Sequence, residues 1–339
     1  MTRVAVVGGG ISGLSVAWWL HRAGVPVTVL ERAASPGGTM QSIADDGWLV
    51  ETGPNSAVET TPLFGRMFSE LGILQDRLYP DERASRRYIL RDGILHPLPM
   101  TAGAFLGTPL WSAAGKFRLL REPFIGRGER EETIAEFVER RLGREFLDYA
   151  INPFVAGVYA GNPEQLSVRS AFPKLYALEE RYGGLVRGMI FGRRERKGRA
   201  ERSKDRARLF SFTRGMQTFP DAIAGALGDR LVTGAEVRSC ESSPRGSGFT
   251  LSIGGPVDPL LTADAVVLSV PAAAAARLIQ PFDPALAGLL EGVYYPPVAE
   301  VVLGYRSDRI ARPLDGFGFL VPAKERRRIL DGWLVGSGW

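Results

Sequence analysis

Cysteine and histidine are nearly absent: the 339 residues hold one cysteine, Cys240, and two histidines, His21 and His96. A single thiol excludes an intrachain disulfide and points to a reducing compartment. The same scarcity excludes a Cys/His zinc site and leaves little for histidine-based acid–base work, so the chemistry is expected to come from a cofactor, with no metal ligands and no catalytic side chain assigned. Long apolar runs are missing too. Val4–Val7 runs straight into glycines and is too short for the core of a signal peptide. The longest uncharged stretch, Pro97 to Gly115, has 19 residues, but its prolines and glycines exclude one regular membrane-spanning helix. It reads as a pocket wall or a buried loop-and-helix segment, with contact to a membrane surface as the alternative.

What is present is a soluble globular composition, 45% hydrophobic and 23% charged, with a mean hydropathy of −0.02 and a length that implies two domains. The net charge is +5, yet residues 193–208 alone carry nine basic and three acidic side chains, or +6, which leaves −1 for the rest. The basic balance therefore reports one local segment, read as a solvated loop, and no surface for nucleic acid.

Val4–Val7 has the continuous apolar character of a buried parallel strand. Gly8-Gly9-Gly10-Ile11-Ser12-Gly13 follows, then an apolar-faced helix through Leu14, Ala17, Trp18 and Leu20, and a second strand, Val27–Leu30, that ends at Glu31. Thr61-Pro62 reads as an N-cap and first helical residue, with Gly72 past the end of that helix. Tyr88 to Leu95 reads as a hairpin turning on Asp92-Gly93. Thr133 with Glu136 forms a capping box for a helix that stops near Gly143. Strands return near Leu231–Val237, Phe249–Ile253 and Ala265–Val270. The fold expected is α/β: a Rossmann-like domain, 1–60 plus 211–280, interrupted by a mixed, partly helical region, 61–210 plus 281–330, with 331–339 an atypical tail.

Gly8, Gly10 and Gly13 sit between a strand and a helix, the context in which such glycines serve a dinucleotide. The first permits a tight turn, the second lets the backbone approach a pyrophosphate at the helix N-terminus, and the third lets helix and strand pack closely. Glu31 ends the second strand, where a carboxylate accepts hydrogen bonds from ribose hydroxyls.

Beyond these, Glu31-Arg32 with Pro36-Gly37-Gly38, and Gly47 to Asn55, resemble the flavoprotein family of amine oxidases and phytoene desaturases. Within it, Gly53 to Ser56, Tyr88 to Pro99, Arg140 to Gly143, Ala156 to Ser167, Phe172 to Leu175 and Gly316 to Pro322 resemble the oxygen-dependent protoporphyrinogen oxidases, in order from residue 3 to about 330. The resemblance implies FAD, a porphyrinogen substrate, molecular oxygen as acceptor and a place in haem biosynthesis. It implies that Gly8, Gly9, Gly10, Ile11, Ser12, Gly13, Glu31 and Arg32 hold the ADP half, that Gly38, Thr39, Gly53, Pro54, Asn55 and Ser56 hold the pyrophosphate and flavin side, and that Val237 offers its backbone to adenine. Gly157, Phe317 and Leu320 would flank the macrocycle and Asn55 would meet the substrate. An arginine for a substrate propionate is implied soon after Pro99, but no charged side chain follows until Lys116.

Coproporphyrinogen III oxidation, another flavin oxidase or desaturase, and a chain that binds nucleotide without catalysis remain open. The expected location is cytoplasmic, with peripheral membrane association and a homodimer both open. The family closes with a further segment of about a hundred residues, so this chain is expected to be truncated, to hold FAD weakly and to turn over little.

Overall fold

The computed structural model describes residues 2–81, 86–191, 208–242, 248–255, 259–310 and 315–333. It divides into two compact units. One comprises Met1–Tyr79, Glu201–Tyr295 and Glu300–Val302; the other comprises Pro80–Ala200, Pro296–Ala299 and Leu303–Trp339. Residues 61–79, 201–210, 281–295 and 300–302, assigned from the sequence to the interrupting region, thus fall in the first unit.

At the centre of the first unit is a parallel sheet of four strands in the order Leu231–Val232, Val27–Leu30, Val4–Val7, Ala265–Leu268. All of Val4–Val7 is buried, which explains its lack of polar alternation. The Ile11–Arg22 helix buries Gly13, Leu14, Ala17 and Trp18, a helical stripe that packs into a core shared with Phe68, Phe210, Phe212 and Phe219. Phe68 is the hub: the other three rings stand edge-on to it at 5.0–5.3 Å, a favoured aromatic geometry.

A second, antiparallel sheet joins Glu236–Ser242, Phe249–Gly254 and Leu260–Ala263. The sequence suggested one strand over Leu231–Val237. Instead Gly234, at φ +67°, turns the chain, so that Leu231–Val232 joins the parallel sheet and Glu236 onward joins the antiparallel one. Cys240 is buried in this layer. Burial pushes its thiol pKa up, and Glu241 adds to the effect.

The second unit begins with the expected hairpin, Arg86–Arg91 and Ile94–Pro97. Asp92 and Gly93 both have positive φ, 52° and 77°, as the tight turn requires. Gly316–Leu320 lies parallel to Arg86–Arg91, and Asp331–Trp333 pairs antiparallel with it at the sheet edge. The first three residues of the expected tail are therefore a strand.

The capping box of Thr133 and Glu136 is present and opens the Ile134–Arg141 helix. A further helical run passes from Arg144–Phe146 through a π-helical turn, Leu147–Ile151, into the Asn152–Tyr159 helix. Pro153 lacks the N–H that would close a normal turn, and the wide turn falls just before it.

Pro97 to Gly115 is held by Leu110 and Trp111, both buried, with Trp111 stacked on Phe146 at 4.5 Å and an interplanar angle of 2°. It forms the Ala102–Gly107 helix and enters the Ala113–Leu119 helix. Around it Met100, Leu106, Phe117, Leu120 and Phe124 are all exposed, so the buried-segment reading holds only for the middle of the stretch. Among the described residues no helix is long and apolar enough to cross a membrane. The Arg-rich stretch lies outside the described residues except for Arg208. That residue is exposed; it packs over the Tyr79 ring, 3.4 Å from its centroid, and its carbonyl accepts from the Glu59 N–H.

Candidate functional site

The glycine turn of the first unit is built by contact. A Cβ on Gly13 would stand 2.0 Å from the Gly8 carbonyl oxygen, and one on Gly8, itself at φ +106°, would stand 2.3 Å from Ser269 O. Neither position admits a side chain. Gly10 differs: the nearest atom to its Cβ position is Gly38 Cα at 4.0 Å. Open space thus lies over the residue that caps the Ile11–Arg22 helix. That cap carries no side-chain hydrogen bond, and the first turn holds no acidic residue. The N–H groups of Ile11, Ser12 and Gly13 therefore present a positive helix end. A glycine-lined cradle with unused backbone donors fits a pyrophosphate.

Glu31 was expected at a ribose. In the structure it is 9% exposed, with Oε2 accepting from the Gly9 N–H at 2.6 Å and Oε1 from the Ala33 N–H at 2.8 Å. Its carboxylate braces the glycine turn first, and each oxygen keeps a lone pair for a ligand hydroxyl. Gly9 must be glycine because a Cβ there would lie 2.8 Å from Glu31 Cβ. Arg32 is exposed. The stretch leading to Val237 is tied back to this corner by Ala235 N–H to Glu31 O at 2.8 Å and Gly234 N–H to Ala33 O at 2.9 Å. Val237 itself borders a bulge in its strand.

Gly37 N–H donates to Gly9 O at 2.8 Å, and Gly10 bridges to Gly37, so the second glycine pair lies against the first. Gly53 is bound into the same corner, since a Cβ there would stand 1.9 Å from Thr39 O. Gly38, Thr39 and Pro54 are exposed; Asn55 and Ser56 are half-buried and bonded to each other, Ser56 Oγ to Asn55 Oδ1 at 3.2 Å.

One part of this corner escaped the sequence reading. Ser42 Oγ donates to Glu51 at 2.6 Å, Met216 N–H donates to Glu51 at 2.8 Å, and Ser42 N–H donates to Gln217 Oε1 at 2.9 Å. Gly215, at φ +85°, lets the backbone approach Ser42. Gly215-Met216-Gln217 therefore anchors the hairpin that leads into Gly53 to Ser56. The only available signal was a glycine before a helix, too common to single out.

In the second unit the structure brings Gly157 and Leu320 together. A Cβ on Gly157 would stand 2.8 Å from Leu320 Cδ2 and 3.2 Å from Asp331 Oδ2. Gly157 lies within the Asn152–Tyr159 helix, so its small size serves close approach, not a turn. In a regular strand Phe317 and Leu320 would face opposite sides. The register slips by one residue between Gly316 and Gly318, and this bulge at Phe317 removes that constraint.

Also unforeseen is a buried charge network in this unit. Arg141, fully buried, donates to Glu122 at 2.9 Å and to Glu179 at 2.8 Å. Glu122, also fully buried, accepts from the Leu185 and Val186 N–H groups at 2.7 and 3.1 Å. Arg140 bonds Glu132 and Glu179. Burial alone would raise the Glu179 pKa, but hydrogen bonds from Arg141, Arg140 and the Gly128 N–H outweigh it and hold the carboxyl below its ordinary value.

A short parallel sheet, a glycine turn at a helix N-terminus and a carboxylate on the second strand define a dinucleotide-binding oxidoreductase. The chain belongs to the flavin containing amine oxidoreductase family, whose model matches residues 11–330, and its cofactor is FAD. Protoporphyrinogen oxidase 2 of Arabidopsis thaliana is 31% identical over 349 residues, covering 96% of this chain and 68% of that protein. The chloroplastic protoporphyrinogen oxidase of Oryza sativa is 34% identical, covering 94% of this chain and 63% of that protein. Coproporphyrinogen III oxidase of Bacillus subtilis is 28% identical, covering 94% and 70%. A crystal structure from Exiguobacterium sp. 255-15 shares the fold at a TM-score of 0.76 and 22% identity, covering 100% of this chain and 74% of that one.

Proposed function

We propose that the chain carries out FAD-dependent oxidation of a porphyrinogen, protoporphyrinogen IX first, with oxygen as acceptor. The observation that carries this reading is the 31% identity to a protoporphyrinogen oxidase over 96% of the chain. A second reading, coproporphyrinogen III oxidation, is favoured by the Bacillus relative.

Residues 8–13 would hold the pyrophosphate through the open face at Gly10 and the free N–H groups of the helix end. Glu31 and Arg32 would meet the ribose and phosphate side, and Val237 would meet adenine through its backbone. Gly38, Thr39 and Gly53 to Ser56 would bound the flavin side. Bound flavin supplies the hydride acceptor for carbon bridges between pyrroles, chemistry that needs no side-chain base. Gly157, Phe317 and Leu320, in the second unit, would wall the macrocycle; Asn55, in the first unit, would be a polar contact for the substrate. The exposed Met100, Leu106, Phe117 and Phe124 are the side chains that would make any peripheral contact with a membrane.

The test is aerobic incubation with protoporphyrinogen IX and, separately, coproporphyrinogen III, following porphyrin fluorescence and flavin absorbance. Protein-dependent fluorescence with one substrate and not the other assigns the reaction; none with either overturns it.

Gly157→Val supplies a sharper check. Its new methyl groups would collide with Leu320 and Asp331 and displace the wall. Porphyrinogen KM is expected to rise by about tenfold or more, or turnover to vanish, with flavin content unchanged. Steady-state kinetics beside a flavin spectrum read both.

A further inference from the structure

Gly157 lies against Leu320 at a spacing that suits glycine alone, since a Cβ there would stand 2.8 Å from Leu320 Cδ2. That spacing is set at the start of the helix that carries it. The helix opens at Asn152, straight after the π-helical turn Leu147–Ile151. A π-turn takes one residue more than an α-turn. A regular helix through the same run would therefore bring Ala156, with its Cβ, to where Gly157 stands. On the other side, the strand that carries Leu320 ends at that residue. Val321 and Pro322, both buried, lead from it to a short 3₁₀ turn, Ala323–Glu325. Two bonds tie this turn to the helical run: Asn152 Oδ1 accepts from the Ala323 N–H at 2.9 Å, and Asp148 Oδ2 accepts from Lys324 Nζ at 3.2 Å. The second involves a lysine that is 57% exposed, and such ion pairs hold little. The first joins two backbones through one short, half-buried side chain, so it fixes where they lie.

Resting on the porphyrinogen reading above, we propose that Asn152 is a positioning residue for the substrate wall: its amide oxygen holds the Ala323 N–H and so keeps Gly157 and Leu320 at the spacing a macrocycle fits. Asn152 touches no substrate in this role. It acts through the two residues that do. Without the bond, the start of the helix and the end of the strand can slide past each other, and the Leu320 side chain no longer stays in register with the glycine. An arriving macrocycle must then realign the wall, and the cost of that ordering falls on binding. Once the macrocycle is in place it holds the wall itself. Loss of the bond is therefore a loss in KM with kcat kept, the pattern of binding removed equally from ground state and transition state.

The experiment is steady-state kinetics of the whole chain with protoporphyrinogen IX and with coproporphyrinogen III, beside flavin absorbance and thermal unfolding. Asn152→Ala removes the acceptor. Asn152→Asp keeps an oxygen in the same place. Ala323→Pro removes the donor at the first position of its turn, where the fixed φ of proline is tolerated. Asn152→Ala and Ala323→Pro are each expected to raise KM about fivefold, the worth of one hydrogen bond, with kcat and flavin content unchanged. The two together should be no worse than either alone, because both break the same bond. Asn152→Asp should return KM close to the native value. An unchanged KM, additive effects in the double variant, or a folded Asn152→Asp that fails to rescue overturns the role of Asn152 and leaves the porphyrinogen reading intact. Turnover of neither porphyrinogen by the native chain overturns both. If Asn152→Ala unfolds early, Ala323→Pro decides alone; if every variant does, the bond holds up the fold and the positioning role falls.

Discussion

Gly10→Leu is expected to yield a folded protein that purifies without flavin. The position has room: nothing lies closer than 4.0 Å to where its Cβ would be, and no buried neighbour must move. That room is the cradle over the helix end. A leucine side chain would occupy it and deny a pyrophosphate the N–H groups of Ile11, Ser12 and Gly13. Losing two charge-assisted hydrogen bonds weakens FAD by about a hundredfold or more. Isothermal titration with FAD and the flavin absorbance of the purified protein check it, with circular dichroism as the folding control. Gly13→Val makes the contrast. Its Cβ would stand 2.0 Å from Gly8 O, so that variant should fail to fold, and the pair separates cofactor binding from architecture. Full flavin occupancy in Gly10→Leu would place the dinucleotide elsewhere.

Arg141→Met is expected to cost about 3–5 kcal/mol of stability, because it leaves the buried Glu122 without a cation and takes one of two guanidiniums from Glu179. Glu122 has no exposure at all and Glu179 only 3%. Glu122 would lose the guanidinium that compensates its burial, and Glu179 would be left with Arg140 alone. The melting temperature should fall by many degrees in a thermal scan, whereas Arg140→Met, at a partly exposed position, should cost less. The same network makes the unit acid-sensitive. Glu179 has a folded pKa below its ordinary value, so its contribution is complete above the unfolded pKa of about 4.3 and is lost as pH falls through the folded value. Unfolding midpoints measured from pH 7 down to pH 3 should decline at the acid end, and less steeply in Glu179→Gln.

Much of the first unit was legible because its physics is local. Val4–Val7, the glycine turn, the Ile11–Arg22 helix and Val27–Leu30 follow one another within 30 residues, and each signal depends only on its neighbours. The hairpin at Asp92-Gly93 and the capping box at Thr133 were readable for the same reason. What could not be read were partners distant in sequence. Glu122 and Glu179 look like surface residues until Arg141 is set between them. Ser42, Glu51 and Gln217 show their role only when the Gly215 turn meets the hairpin. Glu31 was correctly placed at the end of its strand, but its bond to Gly9, which makes it a brace of the glycine turn, was not legible. Leu320 was singled out by resemblance alone; the contact with Gly157 is what the structure adds. Asp331–Trp333 was read as the start of an atypical tail, since three residues carry no strand signal of their own.

The pairing of Val4–Val7 with Ala265–Leu268 carries a consequence for how the chain is made. The two strands are 261 residues apart, the separation also of the hydrogen bond from Arg3 N–H to Asp264. A ribosome adding roughly 5–20 residues per second needs on the order of tens of seconds to cover that distance. Throughout that interval one flank of Val4–Val7 has no strand to join, and by its end the hairpin Arg86–Pro97 of the second unit has long been made. The glycine turn, first to be synthesised, is therefore among the last parts to be finished. Until then the nascent chain displays a bare, wholly apolar strand edge, the kind of surface on which unfinished chains aggregate.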